Sequence, residues 1–195
     1  MRRIEEYWVV FDSAEPEKAP GGLISACFDA VDSVRNAIIA VFVIFTFVFR
    51  AVGVDGGSMV PTLHDGDWLA VKSVVTEVKR GDIVIITQPW DRNVPIVKRV
   101  IAVGGDEVYI DFNLHEVYVN GEKLDEPYIN EPTSLSYDMQ FPLTVDEGKV
   151  FVMGDNRNDS LDSRSSRIGL IDERYIFGKA QGRLHPIQDW NIYDY

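Results

Sequence analysis

Three short stretches hold side chains able to do chemistry. The first is Gly56-Gly57-Ser58-Met59-Val60-Pro61-Thr62-Leu63. Two glycines allow backbone shapes that a Cβ forbids, and Pro61 fixes its own φ and holds Val60 extended. A serine held this way presents its Oγ on a stiff loop, as a nucleophile requires, although an ordinary turn uses the same residues. The second is Val94-Pro95-Ile96-Val97-Lys98-Arg99-Val100-Ile101-Ala102-Val103-Gly104-Gly105-Asp106. On a strand, Lys98 and Arg99 point to opposite faces. If Lys98 shares the core face with Ile96, Val100 and Ala102, burial disfavours its charge, and a neutral amine beside a serine can act as its base. The plain alternative is a lysine facing solvent at a strand edge. The third is Gly154-Asp155-Asn156-Arg157-Asn158-Asp159-Ser160-Leu161-Asp162-Ser163-Arg164, dense in short polar side chains that also stabilise turns. It is not a calcium loop, because Ser160 and Ser166 stand where the glycine and the glutamate are needed.

Composition narrows the classes. With 31 acidic and 19 basic residues the formal charge of the 195-residue chain is −12, so no nucleic-acid partner is expected. Cys27 stands alone, and His64, His115 and His185 are isolated, so neither an internal disulfide nor a zinc site is expected. The expected metal and cofactor content is none. Nothing in the sequence supports a histidine-dependent triad.

The elements that must position these groups follow in chain order. Residues 1–22 read as a cytoplasmic tail, polar and acidic around Tyr7-Trp8-Val9-Val10-Phe11. Residues 23–54 read as an amphipathic helical segment leading into a transmembrane anchor. Ile24, Cys27, Phe28, Val31 and Val34 recur at helical spacing, and the run 37–49 is almost wholly apolar. With flanking residues to Val54, about 19 residues at about 1.5 Å each cover roughly 28 Å, close to a bilayer core. Arg35 and Arg50 bracket the run, and the N-terminal basic residues predict that the N-terminus lies inside. A cleavable signal peptide fits poorly, because the apolar run starts late behind an acidic segment.

Residues 55–195 read as an extracytoplasmic, mainly β catalytic domain. Short Val- and Ile-rich strands are expected at 68–72, 82–87, 94–103, 107–112, 116–119, 149–153 and 178–184, with Asn120-Gly121 marking a hairpin. The expected fold is an antiparallel, barrel-like or folded sheet behind one N-terminal helix. Residues 106–149, with Pro127, Pro132 and Pro142, look like a loop-rich excursion from it.

Together the three stretches resemble the bacterial type I signal peptidases, membrane-bound serine proteases that remove signal peptides. The loop at Ser58 resembles the nucleophile motif, Arg80-Gly81-Asp82-Ile83-Val84 the strand motif that follows, Val97–Asp106 the lysine motif, and Gly154–Arg164 the last signature. The resemblance implies Ser58 as nucleophile and Lys98 as general base. It further implies that Ser160 orients the lysine amine and that Asp162 and Arg164 pair to hold the wall of the site. The Ser58 backbone N–H is the implied first oxyanion donor. Some relatives carry a hydroxyl two residues before the nucleophile; here that position is Gly56, which leaves the second donor open. The short excursion before Gly154 is Gram-positive-like. Implied partners are preprotein signal peptides cut after small-x-small sites, the lipid bilayer, and proximity to the secretion translocon. Two other readings stand beside this one. A self-cleaving repressor-type protease shares the Ser–Lys pair but is soluble, and its Ala-Gly or Cys-Gly cleavage dipeptide does not occur here. A membrane-tethered β module that binds without chemistry would tolerate loss of Ser58 and Lys98.

Overall fold

The computed structural model describes residues 22–87, 94–187 and 190–193, with the side chains of residues 23 and 44–47 left out. The expected cytoplasmic tail therefore lies, but for Gly22, outside the described residues. Helix α1 spans Gly22–Phe47, and Ile24, Phe28, Val31, Val34, Ile38, Ile39, Val41, Phe42 and Val43 are all exposed on it. Among the described residues, no helix is long and apolar enough to cross a membrane. The apolar run expected to span includes residues 44–47, whose side chains are not described.

The helix does not continue to Val54. Phe49–Gly53 forms strand β1, paired in antiparallel register with β2 (Trp68–Lys72). Periodicity could not separate the two outcomes, because a short apolar run serves equally as the end of a span or as a strand.

The remaining strands are β3 (Ile83–Ile86), β4 (Ile96–Val103), β5 (Glu107–Asp111), β6 (Glu116–Val119), β7 (Glu122–Lys123), β8 (Leu143–Thr144), β9 (Lys149–Met153), β10 (Ile171–Asp172) and β11 (Ile176–His185). They form a mainly β, antiparallel architecture. A curled seven-stranded sheet has the order β1-β2-β11-β3-β4-β9-β10, and a four-stranded sheet has the order β7-β6-β5-β8. The strand signals therefore lie where the β-branched runs put them. The tight β6–β7 hairpin turns at Asn120 (φ 54°) and Gly121 (φ 78°), the positive φ pair that a two-residue turn needs. The two-residue strands β7, β8 and β10 are too short to leave a periodic trace.

Strand β3 shows how the larger sheet makes its core. All four residues are buried, and successive side chains face opposite ways. Ile83 and Ile85 enter a cluster with Met59, Leu63, Leu69, Val71 and Ile192. Val84 and Ile86 enter a second cluster with Val100, Val150, Val152 and Ile176. On β4, Val100 joins that second cluster and Ile96 packs against it, but Ala102 belongs to a third, with Val108, Val117 and Phe151. The expectation that Ala102 shares a face with Ile96 and Val100 is thus corrected. The β4–β9 register shifts between Val100 and Ala102, and one extra residue reverses the alternation.

Candidate active site

Ser58 sits in the loop between β1 and β2. The loop is closed at its base by Val54 N–H donating to Asp67 O (2.8 Å) and Gly66 N–H to Val54 O (3.0 Å). Met59 and Leu63, 1% and 0% exposed, anchor it in the core, and Leu63 N–H donates to Met59 O (2.9 Å). Asn156 clamps the other side. Its backbone N–H donates to Ser58 O and its Nδ2 to Gly57 O, both at 3.0 Å. Ser58 is thus held before and after its Cα while remaining half-buried. Gly56 has φ +89° and commits its N–H to Asp65 Oδ1 (2.9 Å).

Lys98 is only 3% exposed. Its Nζ lies 2.7 Å from Ser58 Oγ and donates to Val97 O at 3.0 Å. Burial lowers the amine from its ordinary value of 10.5 to about 8. Asp162 and then Asp155 pull it back up, while the Arg164 charge pushes it further down. A neutral amine has one lone pair and two N–H donors. The lone pair can take the Ser58 proton while one N–H holds Val97 O.

The third stretch wraps behind the pair. Asp162 and Arg164, both fully buried, form a two-pronged ion pair, with Nε to Oδ1 and Nη2 to Oδ2 at 2.8 Å. Asp162 also accepts the Gly154 N–H (3.0 Å), and Arg164 donates to Leu135 O and Arg157 O. Ser160 is buried next to Gly154, and its Oγ has no hydrogen-bond partner among the described residues. The Ser160–Lys98 hydrogen bond that the resemblance implies is therefore not formed here. Gly154 is required at its position, because a Cβ there would collide with Ser160 and with the Ser58 carbonyl.

Several residues of the site were not singled out from sequence. Arg99, 1% exposed, pairs through Nε and Nη2 with both oxygens of the fully buried Asp155 (2.8 and 2.7 Å). Thr62, on the loop of Ser58, donates to the same carboxylate (2.5 Å). Asp155 thus ties the strand of Lys98 to the loop of Ser58. Glu126 takes both ends of the buried Arg157 guanidinium (3.0 and 2.6 Å). The Tyr128 ring lies 4.0 Å from the Arg99 guanidinium carbon and 5.9 Å from that of Arg157. The available signal was charge arithmetic: an arginine facing away from Lys98 on a buried strand needs a carboxylate, and Asp155 lies in the polar stretch Gly154–Arg164. Pairing partners 56 residues apart cannot be assigned from one sequence. The two remaining motif ends also meet, since Arg80 pairs with Asp106, which accepts the Val103 N–H as well.

The family model described as "Signal peptidase, peptidase S26" matches residues 27–185. Signal peptidase I of Bacillus licheniformis is 40% identical over 176 residues, covering 85% of this chain and 92% of that protein. Signal peptidase IB of Staphylococcus aureus strain COL is 34% identical over 178 residues, covering 81% and 89%. Among solved structures, a signal peptidase I from Enterococcus faecalis is 31% identical with a TM-score of 0.45, covering 55% of this chain and all of that one.

Proposed function

The chain belongs to the signal peptidase family, peptidase S26, and from that premise we propose that Ser58 is its nucleophile and Lys98 its general base. It is a membrane-bound serine endopeptidase that removes signal peptides from preproteins. The observation that carries the assignment is the 2.7 Å approach of a buried lysine amine to the Oγ of a loop serine.

Neutral Lys98 takes the Ser58 proton as Oγ attacks the scissile carbonyl, forming a tetrahedral oxyanion. The Ser58 N–H is the first donor to that oxygen. Gly56 has no hydroxyl to add, and its own N–H is held by Asp65. The Lys98 ammonium then protonates the leaving amine, and the amine recovered on Lys98 activates the water that hydrolyses the acyl ester. Asp162, paired with Arg164, and Asp155, paired with Arg99, offset part of the burial cost of the transient ammonium without contacting Ser58 Oγ. Ser160, buried in the same wall, is assigned to orienting the amine, its hydroxyl being without a hydrogen-bond partner among the described residues.

The substrate is a preprotein with small residues one and three positions before the cut. The apolar sequence from Ala37 to Phe49 serves as a single membrane anchor, with the N-terminus inside and residues 55–195 outside. This puts Ser58 close to the lipid surface and to the secretion translocon. Cleavage of an Ala-x-Ala preprotein in detergent tests the assignment. Wild type is expected to cut, and Ser58→Ala and Lys98→Ala, each folded, to lose at least about 1,000-fold in kcat. Residual cutting by Lys98→Ala near the wild-type rate would move the base elsewhere.

A further inference from the structure

Residues 190–193 fold back onto β11 where that strand parts from β3. The paired residues Gly178↔Ile85 and Lys179↔Val84 make Ala180 the next partner of Ile83, yet the ladder ends at Lys179. In place of a continued ladder, Ile83 N–H donates to the Tyr193 hydroxyl (3.2 Å), which donates to Ala180 O (2.8 Å). A phenol both accepts and donates, so one side chain stands in for the rung. The strands part because β11 follows its other neighbour: it bulges between Ala180, opposite Val71, and Gly182, opposite Ala70.

The same segment fills the opening. Ile192 is 3% exposed and joins the cluster of Met59, Leu63, Ile83 and Ile85, with Tyr193 packed against it. Trp190 O accepts the Arg183 N–H (2.9 Å), and a Cβ on Gly182 would collide with the Trp190 indole and carbonyl. The contacts converge on both halves of the site. Met59 and Leu63 anchor the loop of Ser58, and on β3 Ile83 and Val84 pair with Arg99 and Lys98.

We propose that the C-terminal segment Trp190–Tyr193 is a positioning element of the active site, with Tyr193 and Ile192 fixing the end of β3, and through it Lys98, against the loop of Ser58. This rests on the reading that Ser58 and Lys98 carry the reaction. Loosening that junction lets water reach Lys98, whose charged surroundings are Asp162, Asp155 and Arg164 from the third stretch. Its midpoint then moves towards that of a hydrated amine.

The test uses the full chain in detergent, well below the melting temperature of each variant. Tyr193→Phe removes one oxygen, and Tyr109→Phe makes the same change on the exposed face of the small sheet as a control. The kcat and KM of preprotein cleavage are measured from pH 6 to 10, and the Lys98 midpoint is followed by the 13C NMR shift of its Cε. For Tyr193→Phe, kcat is expected to fall about tenfold with KM within about twofold, and the midpoint to rise by about half a pH unit or more. Tyr109→Phe is expected to match wild type. Ile192→Ala, or Ile192→Val if that chain does not fold, is expected to move both readouts the same way. Wild-type kcat and midpoint in Tyr193→Phe, with only a lower melting temperature, overturn the proposal by making the segment a brace for stability alone. A wild type that cuts no preprotein overturns the peptidase reading instead. The NMR midpoint then still decides the role of the segment, a rise supporting it and no change overturning it.

Discussion

At Lys98, burial acts on activity and on stability in opposite directions. Its value of about 8 predicts that kcat/KM rises through pH 7 to 9 as the amine loses its proton, and a profile flat across that range would exclude it as the base. The unfolded chain carries a lysine near 10.5, so between about pH 8 and 10.5 it binds more protons than the folded one. Stability therefore rises with pH across that window, and the full penalty is felt below about pH 8. At roughly 1.4 kcal/mol per pH unit, holding the amine there costs the folded state about 3 kcal/mol. Lys98→Met is accordingly expected to abolish cleavage yet resist urea better than wild type at pH 6, with the difference shrinking towards pH 10. Equal stability at both pH values would mean that the ammonium is better solvated than its burial implies.

The element that unites the site is the 154–164 loop, which reaches Ser58 through Asn156, Thr62 and Arg99 through Asp155, and its own wall through Asp162 and Arg164. Gly154 sits where the loop passes behind Ser58. Gly154→Ala is expected to cost about 1–3 kcal/mol in thermal unfolding and to lower kcat more than it raises KM, because the collision involves the Ser58 carbonyl itself. Unchanged kcat would mean that the loop retreats without disturbing Ser58. The Arg99–Asp155 pair makes a sharper case. Removing either partner strands a buried charge, so Arg99→Met or Asp155→Leu is expected to cost about 3–5 kcal/mol and the double variant distinctly less than the sum. Additive losses, measured by urea unfolding, would argue that the two groups do not interact in solution.

At the scale of the molecule, the proposed anchor confines enzyme and substrate to one surface and raises their effective concentration without new contacts. Removing residues 1–42 is expected to leave kcat/KM on a short soluble peptide within about threefold, but to slow processing of a vesicle-embedded preprotein by about 100-fold or more. Equal losses on both substrates would assign that segment to the folding of the β domain instead. The curled sheet supplies the complementary constraint. It brings β2, β3, β4 and β11 around one apolar cluster, so that the loop of Ser58 and the strand of Lys98 share a floor.

The sequence by itself determined most of the long strands and marked Ser58 and Lys98 as candidates, because Val- and Ile-rich runs, Asn-Gly turns and a serine after two glycines act locally. It also placed Lys98 on a strand with apolar neighbours, so that a lowered amine value was one of two readings open before any fold was known. The end of the helix at Phe47, the bulge that sends Ala102 to another face, and the rung supplied by Tyr193 were not legible. Each depends on which strand lies beside it, and a one-residue register shift leaves no mark in composition. The partners of Arg99 and Arg157 were likewise fixed only by folding. A buried guanidinium requires a carboxylate, but only the meeting of β4, the loop of Ser58 and the 154–164 loop decided that Asp155 and Glu126 would be the ones within reach.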